Sequence, residues 1–158
     1  MRVALLTVSD SVSHGVRQDL SGPALRERCL KLGWQVIFSQ LVPDEESLIQ
    51  ARLIEMADSR LVDLILTTGG TGLGPRDITP EATFAVCGKL IPGMGELMRE
   101  RGRGTNPRAA LSRGLAGVRG QTVIVNLPGS PRGAVESLDA IAALLPHAVE
   151  VVRGARHD

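Results

Sequence analysis

The stretch VDLILTTGGTGLGPRDITPEAT, Val62 to Thr83, decides the reading of this chain. It opens on a compact apolar run, Leu61 to Leu66, bounded by small polar residues. A run that short reads as a buried strand of a parallel sheet rather than a helix. The strand empties into Thr67-Thr68-Gly69-Gly70-Thr71-Gly72. Glycine tolerates positive φ and lets a ligand approach the main chain, so this loop can offer its N–H groups as a nest for an anion. Gly74-Pro75-Arg76-Asp77 follows, one cation beside one carboxylate, and then Ile78-Thr79-Pro80-Glu81-Ala82. Thr79 suits a helix N-cap, Pro80 the first helical position, and Glu81 the positive end of the helix dipole. Strand, glycine loop, charged pair and helix start together predict an anion site in one segment. The alternative is a tight structural turn. The loop is not a Walker A motif, because Gly72-Leu73-Gly74 stands where Gly-Lys-Ser/Thr is needed. It is not a dinucleotide fingerprint either, since Pro75 replaces the third glycine.

Outward from this segment, strands and helices alternate. Val3 to Val8 reads as a strand that ends in the hydroxyl-rich loop Ser9-Asp10-Ser11-Val12-Ser13-His14-Gly15. Pro23 then opens a helix to about Leu32, with Leu25, Cys29 and Leu32 on one face and Gly33 as its C-cap. Trp34 to Val42 is β-rich and turns at Pro43-Asp44-Glu45-Glu46 into a helix reaching Asp58, whose apolar stripe is Leu48, Ala51, Leu53, Ile54 and Ala57. Asp44 reads equally as the N-cap of that helix and as a catalytic carboxylate. Beyond the central motif a helix covers Pro80 to Val86. Pro92-Gly93-Met94-Gly95 is expected to break the chain before a short helix, Glu96 to Arg101. Glu96 complements the helix dipole or contacts a nucleotide. A further short helix is expected over Arg108 to Arg113. The two β-rich runs Gly114–Val118 and Gln121–Asn126 are joined so closely that they must form a hairpin. Asn126-Leu127-Pro128-Gly129-Ser130-Pro131 follows as a second phosphate-friendly loop, or as a plain turn with Ser130 as N-cap. The rest, Ala134 to Val152, is helical with an interruption near Pro146.

This order predicts an α/β fold: a three-layer α/β/α arrangement around a mostly parallel twisted sheet of about five strands, with one antiparallel edge strand. At 158 residues the chain is expected to form a single domain over 1–158. A net charge of +1 and the lack of a basic run interleaved with aromatics argue against nucleic-acid binding. No apolar stretch approaches a membrane span, and MRVALLTVSD lacks a signal peptide's cleavage region. Cys29 and Cys87 are isolated, without metal-ligand spacing, and suit a reduced cytoplasm. Trp34, Phe38 and Phe84 are the only aromatics, so an aromatic cage for a ring-shaped ligand is not expected.

GGTGLGPRDITPEAT resembles the signature of the molybdenum-cofactor biosynthesis family, the molybdopterin adenylyltransferases of the Mog/MoaB type and the related G domain of gephyrin-like proteins. VSDSVSHGVRQDLSGPAL, LVPDEE at Leu41 to Glu46, LSRGLAGVRGQTVIVNLPGSP at Leu111 to Pro131 and the closing PHAVEVVRG resemble the same family in the same order. Gly74, where relatives are expected to carry a larger residue, is the departure. The resemblance implies that Ser9, Asp10 and Ser13 border the ligand and that Asp44 belongs to the catalytic set. It also implies a cytoplasmic homotrimer that hands its product to the molybdenum-insertion enzyme.

In open α/β sheets ligands sit beyond the carboxyl ends of the strands. The loops at Ser9, Pro43, Gly69 and Pro128 all follow strands, so all four can line one crevice. Its binding groups are then Gly69, Gly70, Thr71, Gly72, Pro128, Gly129 and Ser130, with Arg76 and Arg132 as cations. Carboxylates repel phosphate, so Asp44 and Asp77 are expected to hold Mg²⁺, which bridges phosphates and neutralises charge during transfer. The resemblance implies Mg-ATP-dependent AMP transfer to the phosphate of molybdopterin, releasing pyrophosphate. The alternative is a molybdopterin- or nucleotide-binding module without turnover.

Overall fold

The computed structural model describes residues 1–155, and the expected domain boundary at Asp158 falls outside them. Leu64–Thr68 forms β3, buried along its whole length. Parallel pairing on both sides explains this: β1 (Arg2–Val8) flanks it on one side and β6 (Thr122–Leu127) on the other. Between them run α1 (Asp10–Ser13), α2 (Ser21–Lys31), β2 (Gln35–Val42) and α3 (Glu46–Asp58) before β3. After it come α4 (Thr79–Val86), β4 (Lys89–Leu90), α5 (Pro92–Arg103), a 3₁₀ turn (Pro107–Leu111) and β5 (Ala116–Arg119); α6 (Pro131–Ile141) and α7 (Leu145–Val152) follow β6.

The sheet runs β2-β1-β3-β6-β5-β4. From β1 the chain adds β2 on one side and then β3 on the other, so winding reverses between β1 and β3. That is where a crevice opens in such folds. β5 pairs antiparallel with β6 and, on its outer side, with the two-residue β4. The sheet thus has six strands rather than five, because β4 is too short to leave a pattern in sequence.

Alternate residues of the central strands feed two cores, as a period of two requires. Val3, Leu5, Leu64, Leu66, Val123 and Val125 face α2, α5, α6 and α7. Ala4, Leu6, Ile65 and Ile124 face α3 and α4. Three departures from the sequence reading follow from this packing. The buried stripe of α3 keeps Leu53 and Ala57 of the predicted set but is completed by Ile49 and Met56, and it leaves Leu48, Ala51 and Ile54 exposed. α5 starts at Pro92 instead of breaking there, since proline fits a first helical position and Gly93 and Gly95 lie within the first turn. The predicted helix over Arg108–Arg113 is a 3₁₀ turn. Met94 and Met98 of α5 sit in the first core, whereas Leu90 of β4 is exposed. No helix among the described residues is long and apolar enough to cross a membrane.

Two buried polar side chains lock the layers. The amide of Asn126, fully buried on β6, donates to Thr67 Oγ1 (3.0 Å) and Thr83 Oγ1 (2.9 Å), tying β3 and α4 together. At the opposite end of the sheet Asp63 accepts from the Arg2 N–H (2.8 Å) and the Arg2 guanidinium (2.8 Å), and it pairs with Arg153. Burial pushes the Asp63 carboxyl up, but the hydrogen bonds and charges of Arg2 and Arg153 outweigh it and hold it below its ordinary value.

Asn126→Leu is expected to cost about 1–3 kcal/mol in denaturant unfolding, because it strips buried hydroxyls and the Leu115 N–H of their partner. Asp63 has a depressed folded pKa, so its contribution is present above about pH 4 and is lost as pH falls through the folded value. The stability gap between wild type and Asp63→Asn should therefore close at acid pH.

Candidate active site

The glycine loop after β3 is bent by Gly69 and Gly70, whose φ angles are +102° and +68°. A Cβ on Gly69 would lie 2.2 Å from the Val8 carbonyl oxygen, and one on Gly70 would lie 2.2 Å from Thr79 Oγ1. Gly129 of the second loop packs on Gly69 in turn, and the Gly69 N–H donates to Leu127 O (3.1 Å). The Thr68 hydroxyl donates to Pro128 O (2.6 Å). The loops after β1, β3 and β6 thus meet at one point. The N–H groups of Gly70, Thr71 and Gly72 find no acceptor among the described residues and remain available to an anion. Thr79 is not the N-cap of α4 as predicted. Its hydroxyl donates to Gly69 O (2.9 Å), which closes the loop, and Ile78 takes the cap position. Ser130 does cap α6, accepting from the Gly133 N–H (3.1 Å).

Two clefts adjoin at this point. The larger, about 770 Å³, runs from Thr71 and Gly72 past Met98, Arg99 and the 3₁₀ turn to Asn126 and Pro128. The smaller, about 570 Å³, is walled by Ser9, Val12, Arg17, Asp19, Asp44, Thr68 and Gly69. Gly70, Asp77, Gly129 and Ser130 line both and form the seam between them. Arg17 in the smaller cleft and Arg108 in the larger make no ion pair among the described residues, so both are cations free for a ligand.

The acids of the site are organised by backbone contacts. The Asp10 N–H donates to Asp44 Oδ2 (2.8 Å), and the Asp44 N–H donates to Asp10 Oδ1 (2.9 Å). This reciprocal pair overturns the cap reading of Asp44, and Glu45 precedes α3 without a side-chain cap. The Arg76 guanidinium meets Asp10 through Nε (2.9 Å) and Nη2 (3.1 Å). Arg76 holds the Asp10 carboxyl below its ordinary value, with the Asp44 N–H adding to the effect. Burial pushes the Asp44 carboxyl up, and the neighbouring carboxylates of Asp10 and Asp77 act in the same direction. Asp77 Oδ2 accepts from the Gly74 N–H (2.8 Å). A Cβ on Gly74 would stand 2.8 Å from that oxygen, so a larger residue there requires the carboxylate to shift.

Of the residues singled out from sequence, Ser9, Asp44, Gly69, Gly70, Thr71, Gly72, Asp77, Pro128, Gly129 and Ser130 line the two clefts. Four others do not. Arg76 and Asp10 are engaged with each other, and Arg76 borders a shallow outer groove beside Asp44 and Glu45. Ser13 ends α1 and Glu96 lies on α5, both exposed and outside the clefts. Arg17, Arg99, Arg108 and Asn126 are cleft residues that the sequence reading passed over. Arg17 and Asn126 fall inside motifs quoted above, which is the signal that could have found them.

Asp44 and Asp77 each have one oxygen held by a backbone N–H and the other without a donor among the described residues. No three His, Cys, Asp or Glu side chains there come together as a metal cluster. One or two carboxylates completed by substrate phosphates is how Mg²⁺ is usually held, so the pair fits that ion.

A family described as a probable molybdopterin binding domain matches residues 4–147. The molybdopterin adenylyltransferase of Helicobacter pylori is 43% identical over 156 residues, which cover 98% of this chain and 89% of that protein. The molybdopterin adenylyltransferase of Escherichia coli K12 is 41% identical over 144 residues, 89% of this chain and 73% of that protein. Among solved structures, the molybdopterin biosynthesis enzyme MoaB from Thermus thermophilus matches with a TM-score of 0.92 and 52% identity over 99% of each chain. Sequence pattern, relatives and fold agree, and the chain belongs to the molybdopterin-binding domain family of molybdenum-cofactor biosynthesis.

Proposed function

We propose that the protein transfers AMP from Mg-ATP to the terminal phosphate of molybdopterin and releases pyrophosphate. The observation that carries this reading is the seam: two clefts, each large enough for one substrate, share Gly70, Asp77, Gly129 and Ser130. A transfer between two bound molecules needs such a junction, where the reacting phosphates lie side by side. The pterin occupies the larger cleft and the nucleotide the smaller.

In the reaction an oxygen of the pterin phosphate attacks the α-phosphorus of ATP. The bond to the bridging oxygen breaks and its electron pair leaves with pyrophosphate. The attacking phosphate is already ionised at neutral pH, so no side chain has to remove a proton. The N–H groups of Gly70 to Gly72 and the start of α6 at Ser130 hold phosphate oxygens without adding full charge. Asp44 and Asp77 would hold Mg²⁺, which would offset the negative charge that develops during transfer. Arg17 offers a cation to the triphosphate. A homotrimer and delivery of product to the insertion enzyme belong to the same proposal and rest on family membership. A single-chain mass in light scattering would remove the trimer and leave the site intact, since every seam residue comes from one chain.

Purified protein with molybdopterin, ATP and Mg²⁺ should yield adenylylated molybdopterin. Tight molybdopterin binding without ATP-dependent product would select the binding module instead. Asp77→Ala is expected to abolish transfer while leaving molybdopterin affinity within about threefold, as loss of a metal-holding group rather than a phosphate clamp requires. Asp44→Asn should separate rate from stability. Burial raises the Asp44 carboxyl in the fold, so carrying its charge costs folding stability at neutral pH. The amide removes that charge and keeps an acceptor for the Asp10 N–H. Transfer should fall by about 100-fold or more, equivalent to about 2.7 kcal/mol, while Tm at pH 7 holds or rises.

A further inference from the structure

We infer that Arg113 is the positioning residue of the glycine loop, gripping the main chain at both ends of the Gly72–Asp77 turn and so setting where the Asp77 carboxylate stands. The inference rests on the reading under Proposed function, because it concerns the same transfer. The Arg113 N–H donates to Thr71 O (2.9 Å). Its Nε donates to Gly72 O (2.8 Å) and its Nη2 to Asp77 O (2.7 Å), while Nη1 pairs with Glu81 in the first turn of α4. Three of the four acceptors are main-chain carbonyls. The contact therefore reads the path of the loop and is indifferent to its side chains.

The turn between the two grips has no other main-chain hydrogen bond to the rest of the fold among the described residues. Leu73, Gly74, Pro75 and Arg76 are exposed. Its internal ties are the Asp77 N–H to Gly74 O (3.0 Å) and the Gly74 N–H to Asp77 Oδ2 (2.8 Å). Those ties move with the turn; the exposed Arg76–Asp10 ion pair holds one side chain of it, and Arg113 anchors its main chain to the rest of the fold. Arg113 is itself braced, since the Arg99 guanidinium donates to Ser112 O (3.4 Å) and Gly114 O (3.0 Å), the carbonyls on either side of it. A planar fork with donors in fixed directions can span two carbonyls and a carboxylate at once, and a lysine ammonium cannot. Arg113 lines neither cleft, so it acts through Asp77 and not on substrate.

The test uses the full chain with Arg113→Lys, Asp77→Asn and the double variant, or Arg113→Gln where the lysine form does not fold. Misplacement of a reacting group by about 1 Å costs on the order of 100-fold, so Arg113→Lys should lower kcat for AMP transfer by about that factor. The KM for molybdopterin should move by less than about threefold. Amide exchange over residues 71–78 should quicken while the central strands exchange as in wild type. Adding Arg113→Lys to Asp77→Asn should lower kcat no further, because both act through one carboxylate. A fully multiplicative loss in the double variant, or unaltered kcat and loop exchange in Arg113→Lys, would overturn the inference. Exchange needs no turnover. If the wild type transfers no AMP, the reading under Proposed function falls, and faster or unchanged exchange of residues 71–78 then supports or overturns the clamp by itself.

Discussion

At the carboxyl end of the sheet the main chains after β1, β3 and β6 pass one another with no room for a side chain between them. Gly69 lies against the Val8 carbonyl, and Gly129 lies against Gly69. The approach is possible because neither residue carries a Cβ and because Gly69 adopts a positive φ that other residues avoid. The remaining features of the site depend on this crossing. It brings the loops close enough to share one seam, and the Thr68 and Thr79 hydroxyls bond to carbonyls of these same loops. The sheet below is rigid in the sense that matters: Asn126 fixes β3 and α4 through buried hydrogen bonds directly beneath the loop.

The carboxylates above this crossing show how environment divides like groups. Asp10 and Asp44 exchange backbone hydrogen bonds almost symmetrically, yet their acidities move in opposite directions. The difference is burial at Asp44 and the Arg76 hydrogen bond at Asp10. Arg76 covers Asp10 with a two-pronged ion pair, whereas Asp44 is buried beside two other acids. Asp10 is thereby satisfied within the protein and serves as a strut between three loops. Asp44 is left with an unsatisfied charge, the condition in which a bound cation gains most.

Much of this was readable in the sequence where the information is local. The run Leu61–Leu66 and the spacing of Gly69, Gly70 and Gly72 located both the central strand and the loop, because apolar length and glycine placement act over a few residues. Ser130 was read as a cap for the same reason. What escaped was decided by residues far apart. Arg76 was expected to face phosphate, but a carboxylate 66 positions earlier claims it. Asp44 was weighed as a helix cap, although its partner is the Asp10 backbone on another loop. The hydroxyl of Thr79 had an equally good local use as a cap and took a carbonyl across the turn instead. Helix periodicity found Leu53 and Ala57 of the α3 stripe but took Leu48 and Ile54 for Ile49 and Met56, because they are as apolar as the residues that are buried.

The stub β4 has a bearing on how the protein behaves when concentrated. Two residues, one of them Lys89, form the outermost ladder on that side of the sheet. So short and charged a border gives another chain almost nothing to extend, which is how natural sheets resist edge-to-edge aggregation. The opposite border has no such guard. β2 is eight residues long, with Val36, Ile37 and Phe38 only half buried. The two margins of one sheet thus differ in how much unpaired backbone they offer another chain, and β2 offers far the more.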